Sequence, residues 1–119
     1  MNLPHLISQI KNHPDYSKAG MILCHNGVVR ATSRNGQVVT GMKVTVNHDK
    51  LKEIINANKK RNGIIEILVE INENKELLVG EDVMYLVVAG DIRENVISAL
   101  SGTLDAIKSS VTMKTEFYK

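Results

Sequence analysis

The chain has no tryptophan, one phenylalanine and three tyrosines. With so few aromatics, its core must be built mainly from Ile, Val and Leu. The single cysteine, Cys24, excludes a disulfide framework and a cysteine-rich zinc site. No apolar run approaches the length of a membrane span. The opening "MNLPHLISQIKNH" lacks the apolar core and cleavage site of a secretory signal, so the expected location is cytoplasmic and no membrane partner is expected. Neither sign of charge dominates: a formal net charge of +2 does not argue for nucleic acid. The basic run "NKKRN" (58–62) has no interleaved aromatics on which bases could stack, and reads as a solvated helix end. No P-loop, GxSxG, CxxC or dinucleotide fingerprint is present. His5, His13, His25 and His48 fit no metal-ligand spacing, and neither metal nor cofactor is expected. His25 reads as a packed or hydrogen-bonded strand histidine, and Cys24 as a small core residue.

Periodicity fills in the rest. A content of 43% hydrophobic and 24% charged residues fits one globular domain, residues 1–119. Leu3, Leu6, Ile7 and Ile10 recur at helical spacing over 3–12, and "NHPDYSKAG" breaks that helix. "GMILCHNGVVRAT" reads as a strand, "SRNG" as a hairpin turn suited to positive φ at Asn35-Gly36, and "QVVTGMKVTV" (37–46) as the returning strand. "NHDKLKEIINANKKRNG" is a helix with Leu51, Ile54 and Ile55 on one stripe, Asn47 or Asp49 as cap, and Gly63 at its end. "IIEILVEI" (64–71) is a strand, "NENKE" a turn, and 77–90 one or two strands bent at Gly80. A long helix follows, with Asp91 as N-cap and Glu94 completing a capping-box pattern; the tail 111–119 is short and extended. The order α, β-hairpin, α, β, β, α gives an α+β fold with an antiparallel or mixed sheet and flanking helices.

Two cations in the long helix stand out. Its buried stripe reads as Val96, Ile97, Leu100, Leu104 and Ile107, and both Arg93 and Lys108 border that face. A cation in the first turn loses about 0.3–1 kcal/mol to the helix dipole. Arg93 is therefore either a surface partner of Asp91 or Glu94, or one arm of an anion site that joins free amide N–H groups. Lys108 is either a dipole partner at the helix end or a functional amine, and Lys114 stands just beyond it. Arg30 ends the first strand.

These pieces resemble, in order and spacing, the large catalytic subunit of molybdopterin synthase. "GMILCHNGVVR" (20–30) is similar to that family's glycine, six-residue strand and G-x-V-R. "GQVVTGMKV" is similar to its return strand, and "LLVGEDVMYLVVAG" to its x-L-x-x-G-E stretch and the strand after it. "DIRENVISALSGTLDAIK" resembles its long helix, with Arg93 on the helix-start arginine and Asp105 and Lys108 on D-x-x-K; Lys114 falls near its second lysine. The resemblance implies an α/β-hammerhead-like fold and a homodimer. It also implies that each subunit binds a small ubiquitin-like sulfur carrier, giving a heterotetramer. Sulfur would pass from the carrier's thiocarboxylate to cyclic pyranopterin monophosphate, with Arg30 and Arg93 binding substrate and Lys108 and Lys114 catalytic. The sequence departs from the family at Ile92, Asn72 and Glu73, where a histidine and a His-Arg pair are usual, and "VTM" replaces Pro-x-Trp before Lys114. Those departures support an alternative, a non-enzymatic homologue that keeps dimerisation, carrier binding or an anion site.

Overall fold

Leu6 and Ile10, one turn apart, are the buried face of helix α1 (Leu3–Lys11), whose cap is the Asn2 side chain accepting from the His5 N–H at 3.1 Å. The computed structural model describes residues 1–119. After a 3-10 turn at Tyr16–Lys18 come β1 (Met21–Val28), β2 (Val39–Val46), α2 (His48–Lys59), β3 (Ile64–Ile71) and β4 (Leu77–Leu78). The chain ends with β5 (Asp82–Gly90), α3 (Arg93–Ser110) and β6 (Thr112–Tyr118). The fold is α+β as expected, and every strand pairing is antiparallel. Asn47 is the cap of α2, accepting from the Lys50 N–H at 3.1 Å. No helix is long and apolar enough to cross a membrane.

The strands form two sheets, ordered β1-β5-β3 and β4-β2-β6. β5 is the central strand of the first, and Met84 to Gly90 are all buried. Tyr85, Val87 and Ala89 pack with Leu6 and Ile10 of α1, whereas Leu86 and Val88 pack with Ile67, Val96 and Ala99 beneath α3. A strand apolar on both faces needs a cover on each, which is why one sheet carries helices on opposite sides.

The expected hairpin is not formed between β1 and β2. "SRNG" does turn: the Ser33 N–H donates to the Gln37 carbonyl at 2.9 Å, Gly36 has φ +86°, and Thr32 bridges Val38. Yet β1 pairs with β5, and β2 with β4 and β6. The turn carries the chain from one sheet to the other. Alternation in a strand says which residues face a core, not which strand lies alongside. Gly80, with φ +89°, likewise divides 77–90 into two strands that join different sheets. The tail is the strand β6, paired along β2 from Thr112 opposite Val46 to Tyr118 opposite Val39.

The long helix also departs from its expected stripe. Val96, Ala99, Thr103 and Ile107 are buried, whereas Ile97 is 48% exposed. The small side chains of Ala99 and Thr103 let α3 lie close on the sheet, and that contact sets its rotation. The capping box is not formed: Ile92 is the cap residue, and the Asp91 carboxylate accepts from the Asn95 side chain at 2.9 Å and the Ile92 N–H at 2.6 Å. Those bonds, the one from Asn95 first, hold its carboxyl below the usual range.

The helix α2 ends earlier than expected, at Lys59 with Lys60 as its cap; Gly63, with φ +77°, instead closes the turn into β3, and its carbonyl accepts from the Asp91 N–H at 2.9 Å. A Cβ there would run into the Asp91 carboxylate. Gly63→Ala combines backbone strain with that collision, an expected loss of about 1–3 kcal/mol. Urea unfolding checks this: the midpoint should fall at constant m, and an unchanged midpoint would contradict the packing described.

Candidate active site

Successive side chains of β1 point to opposite faces of its sheet. Met21 and Leu23 pack beneath α3, so the next residues on that face are His25 and Gly27. The apolar cover ends there. Leu104 of α3 still belongs to the core, but one turn later the helix presents Lys108. A surface that is core at Leu23 thus becomes a cavity wall at His25.

The cavity, about 530 Å³, opens where β1, the last turn of α3 and the second sheet meet. Met42, Val44, Ile71, Val83 and Met84 supply apolar wall. Around them stand Arg30, Arg34, Lys108 and Lys114 with His25, and a single carboxylate, Glu116. The junction of α3 with β6 is one residue long, which sets Lys108 and Lys114 on adjoining elements of one wall. Register does the rest: Lys114 is opposite Val44 and Glu116 opposite Met42, so all four belong to the cavity side of the second sheet.

Four cations therefore face one carboxylate in a chain whose formal charge is only +2. Glu116 is already engaged, 3.7 Å from the Lys114 amine. Arg30, Arg34 and Lys108 have no ion-pair partner. The Arg30 Nε donates to the Thr32 carbonyl at 2.8 Å, which anchors the guanidinium from its near side. Like charges gathered this way repel, and the arrangement favours an anionic ligand.

His25 is the cavity residue that sequence reasoning passed over. Its imidazole is half-buried; burial first, and the Lys108 charge second, push its pKa below the ordinary histidine value. It is therefore neutral near pH 7. The signal was present in the alternation Met21, Leu23, His25, Gly27, which puts a titratable ring in line with core residues. Because its folded value is depressed, the unfolded chain takes up the proton first on acidification, and stability falls as pH drops below the ordinary histidine range. Stability of wild type should decline more steeply than that of His25→Gln between about pH 7 and about pH 5. Denaturant titrations with equal slopes for the two proteins would contradict the placement.

Arg30, Lys108 and Lys114 line this one cavity, but Arg93 does not join them. It lies fifteen residues before Lys108, about 22 Å away along the helix axis at 1.5 Å per residue. The two share a helix face in azimuth and are separated in height. Arg93 borders an open groove with Arg61, Ser98, Ser101 and Asp105, and its guanidinium is 3.8 Å from the Glu94 carboxylate. Within one chain, the convergence of Arg93 with Arg30 on a single anion is thus not formed. Ile92, Asn72 and Glu73 are also outside the cavity. Ile92 is exposed, Asn72 donates to the Asp82 carbonyl at 3.2 Å, and Glu73 meets His48 at 2.8 Å.

Fold and cavity together define an α+β domain with a cation-rich cavity at the junction of two antiparallel sheets. The chain belongs to the MoaE protein family, whose pattern is matched by residues 2–110. That stretch contains Arg30, Arg93 and Lys108 and stops short of Lys114. Similar solved structures include a MoaE protein of molybdopterin biosynthesis from Burkholderia ambifaria MC40-6, with TM-score 0.76 and 17% identity over 99% of this chain and 82% of that one. Molybdopterin synthase from Staphylococcus aureus is similar with TM-score 0.73 and 18% identity, over 86% of this chain and 77% of that one. The complex of subunits 1 and 2 of molybdopterin-converting factor from Helicobacter pylori 26695 gives TM-score 0.72 and 15% identity, over 99% and 80%. At these identities the likeness is one of fold. No curated protein sequence matches the chain.

Proposed function

We propose that the chain acts in molybdenum cofactor biosynthesis as the large subunit of a molybdopterin synthase, transferring sulfur from a thiocarboxylated small carrier protein to cyclic pyranopterin monophosphate. The observation that carries this reading is the meeting of Arg30 with the distant Lys108 and Lys114 in one cavity whose single carboxylate, Glu116, is paired with Lys114. Membership of the MoaE family supports it. So does the Helicobacter pylori structure, a complex of two different subunits, as a precedent for a small partner. In this scheme Arg30 holds the phosphate. The carrier's extended tail brings its terminal carbonyl to Lys108, whose ammonium balances developing oxyanion charge and exchanges protons with the reacting groups. Lys114, tethered to Glu116, assists.

The working unit in this reading is a homodimer carrying two small subunits, in the cytoplasm. Ile92 and Ile97, exposed on either side of Arg93, favour a covered surface at that end of α3. Arg93 then serves the substrate of the other copy, since its own cavity is out of reach. A second reading, a non-enzymatic homologue that binds carrier or anion, is favoured by Glu73, whose charge is engaged with His48, and by Asn72, bound to backbone.

Reconstitution with thiocarboxylated carrier and pterin substrate separates the two readings. Wild type should form the dithiolene, and Lys108→Ala should lose at least about a hundredfold in rate, the range for a missing acid/base group, with an unchanged unfolding midpoint. Lys114→Ala should lose less. Conversion by Lys108→Ala at the wild-type rate would remove the catalytic assignment, and no conversion by wild type would favour the non-enzymatic reading.

Mixed dimers test Arg93. Lys108→Ala and Arg93→Ala homodimers should each be impaired. A hybrid of the two has one site with Lys108 from one copy and Arg93 from the other, so unfolding and refolding them together should restore activity. Failure to restore it would place Arg93 outside the site.

A further inference from the structure

The outer side of β1 has no partner strand, since β5 is the middle strand of that sheet. The other open edges are guarded by charge or by shortness. On β3 the Glu66 carboxylate accepts from the Ile67 N–H at 2.9 Å and lies 2.8 Å from the Lys59 amine of α2. On β6 stand Lys114 and Glu116, and β4 has two residues. β1, "MILCHNGV", carries no carboxylate, lysine, arginine or proline. The helix above continues this bare surface. On α3, Val96, Ala99, Thr103 and Ile107 are buried, while Ser98 and Gly102 meet Arg61, just beyond α2. The remaining flank, Arg93, Ile97, Leu100, Leu104 and Lys108, recurs at helical spacing on the side away from α2. α2 packs against β3, so this flank overhangs β1, and Leu100 and Leu104 pack on the cluster that also holds Met21 and Leu23. None of these four is fully buried, and Ile97 is nearly half exposed.

We propose that this edge and flank are the face on which a second copy of the chain docks, with the two β1 strands antiparallel about a two-fold axis at Cys24 and Arg93 of each copy brought to the cavity of the other. The inference rests on the homodimer of the proposed function and names its interface. A two-fold axis normal to the sheet keeps both α3 helices on one side and sets one residue opposite its own copy. The register of β1 with β5 is unbroken from Met21 to Gly27, and Cys24 is the centre of that stretch. The edge is neutral, so no like charges face each other across the axis. Ile97, Leu100 and Leu104 of the two helices cover one another, and the backbone groups along both edges find partners. The ends decide what the pairing accomplishes. Met21 is opposite Gly90, three residues before Arg93, whereas His25 and Gly27 line the cavity with Lys108. Reversing the strand exchanges these ends. Six steps of strand span about 20 Å, close to the ~22 Å between Arg93 and Lys108 along the helix. Arg93 of one copy thus arrives beside Lys108 of the other.

Cys24 is the only cysteine of the chain and is exposed in the single copy, which makes it the probe. Opposed residues of an antiparallel pair have Cα atoms about 4.5–5.5 Å apart, and diagonal ones about 7–8 Å. A short bismaleimide reaching about 8 Å should therefore convert most of the wild type to a covalent dimer at micromolar concentration. Cys24→Ser should give none, and neither should Cys24→Ser with Met113→Cys, which places an exposed thiol on β6 instead. Cys24→Lys sets two ammonium groups opposite each other and should weaken the dimer at least about tenfold by light scattering, with the circular dichroism of wild type. A dimer that the reagent does not link through Cys24, or a Cys24→Lys protein that dimerises as tightly as wild type, would overturn this interface and leave the homodimer standing. A chain that stays monomeric at tens of micromolar would overturn both. Shielding of Cys24 from a maleimide only when the small carrier is added would assign the edge to the carrier and overturn the proposal.

Discussion

β5 cannot be solvated on either face. From Met84 to Gly90 each residue is buried, and the strand has a neighbour on each edge, β1 and β3. Residues alternate toward α1 and toward α3, so removing either helix would expose a continuous row of Val, Leu, Tyr and Ala. Each such large side chain contributes about 1.5–3 kcal/mol by its burial. The remainder of the architecture follows from covering this strand. The helix α3 is laid along one face from Val96 to Ile107, and β1 is held in register beside β5 from Met21 opposite Gly90 to Gly27 opposite Met84. The cavity occupies the place where those two covers run out. His25 and Lys108 meet there because the strand and the helix, both pinned to β5, reach the end of the apolar packing together.

This arrangement places the polar site on rigid elements. Lys108 is one turn beyond a core leucine, Lys114 is in a paired strand, and Arg30 is anchored by a backbone carbonyl two residues away. Side chains held in this way keep their geometry when a ligand arrives, which favours binding and any chemistry that depends on alignment. The electrostatic consequence is a group of cations that is unfavourable when empty and favourable when filled. The exposure of the cavity keeps the cost of the empty state modest, because water screens Arg30 and Lys108 there. The other basic surface, the groove with Arg61 and Arg93, is of a different kind. Asp105 and Glu94 accompany those cations, and Arg61 is bound to Asn58 at 2.8 Å and to the Ser98 hydroxyl at 3.2 Å. Its charges are balanced and partly used to tie α2 to α3.

Local signals made the elements legible. Asn2 and Asn47 cap their helices as short polar side chains do, and Gly63 and Gly80 mark breaks with positive φ. Arg30, Lys108 and Lys114 were readable as a set through the family resemblance. What local signals do not contain is partner choice. "SRNG" turns as its residues require, but whether the strands it connects pair together is decided by β5 and β6, far along the chain. The rotation of α3 was misread for a similar reason: Ile97 is more apolar than Ala99 or Thr103, yet close approach to the sheet favours the small residues. The helix face of Arg93 was correctly read in angle but not in height, since periodicity reports direction around an axis and says nothing of what lies at each end. His25 was hidden by its type, because a lone histidine in a strand carries no pattern until a lysine from another element faces it.

The central claim is that the Lys108 cavity, rather than the groove at the start of α3, is where the anion binds. A crystal structure of the chain grown with inorganic phosphate tests this most directly. The account predicts a phosphate in the cavity, within hydrogen-bond reach of Arg30 and Lys108. A phosphate held between Arg61 and Arg93, with the cavity empty at the same concentration, would contradict it.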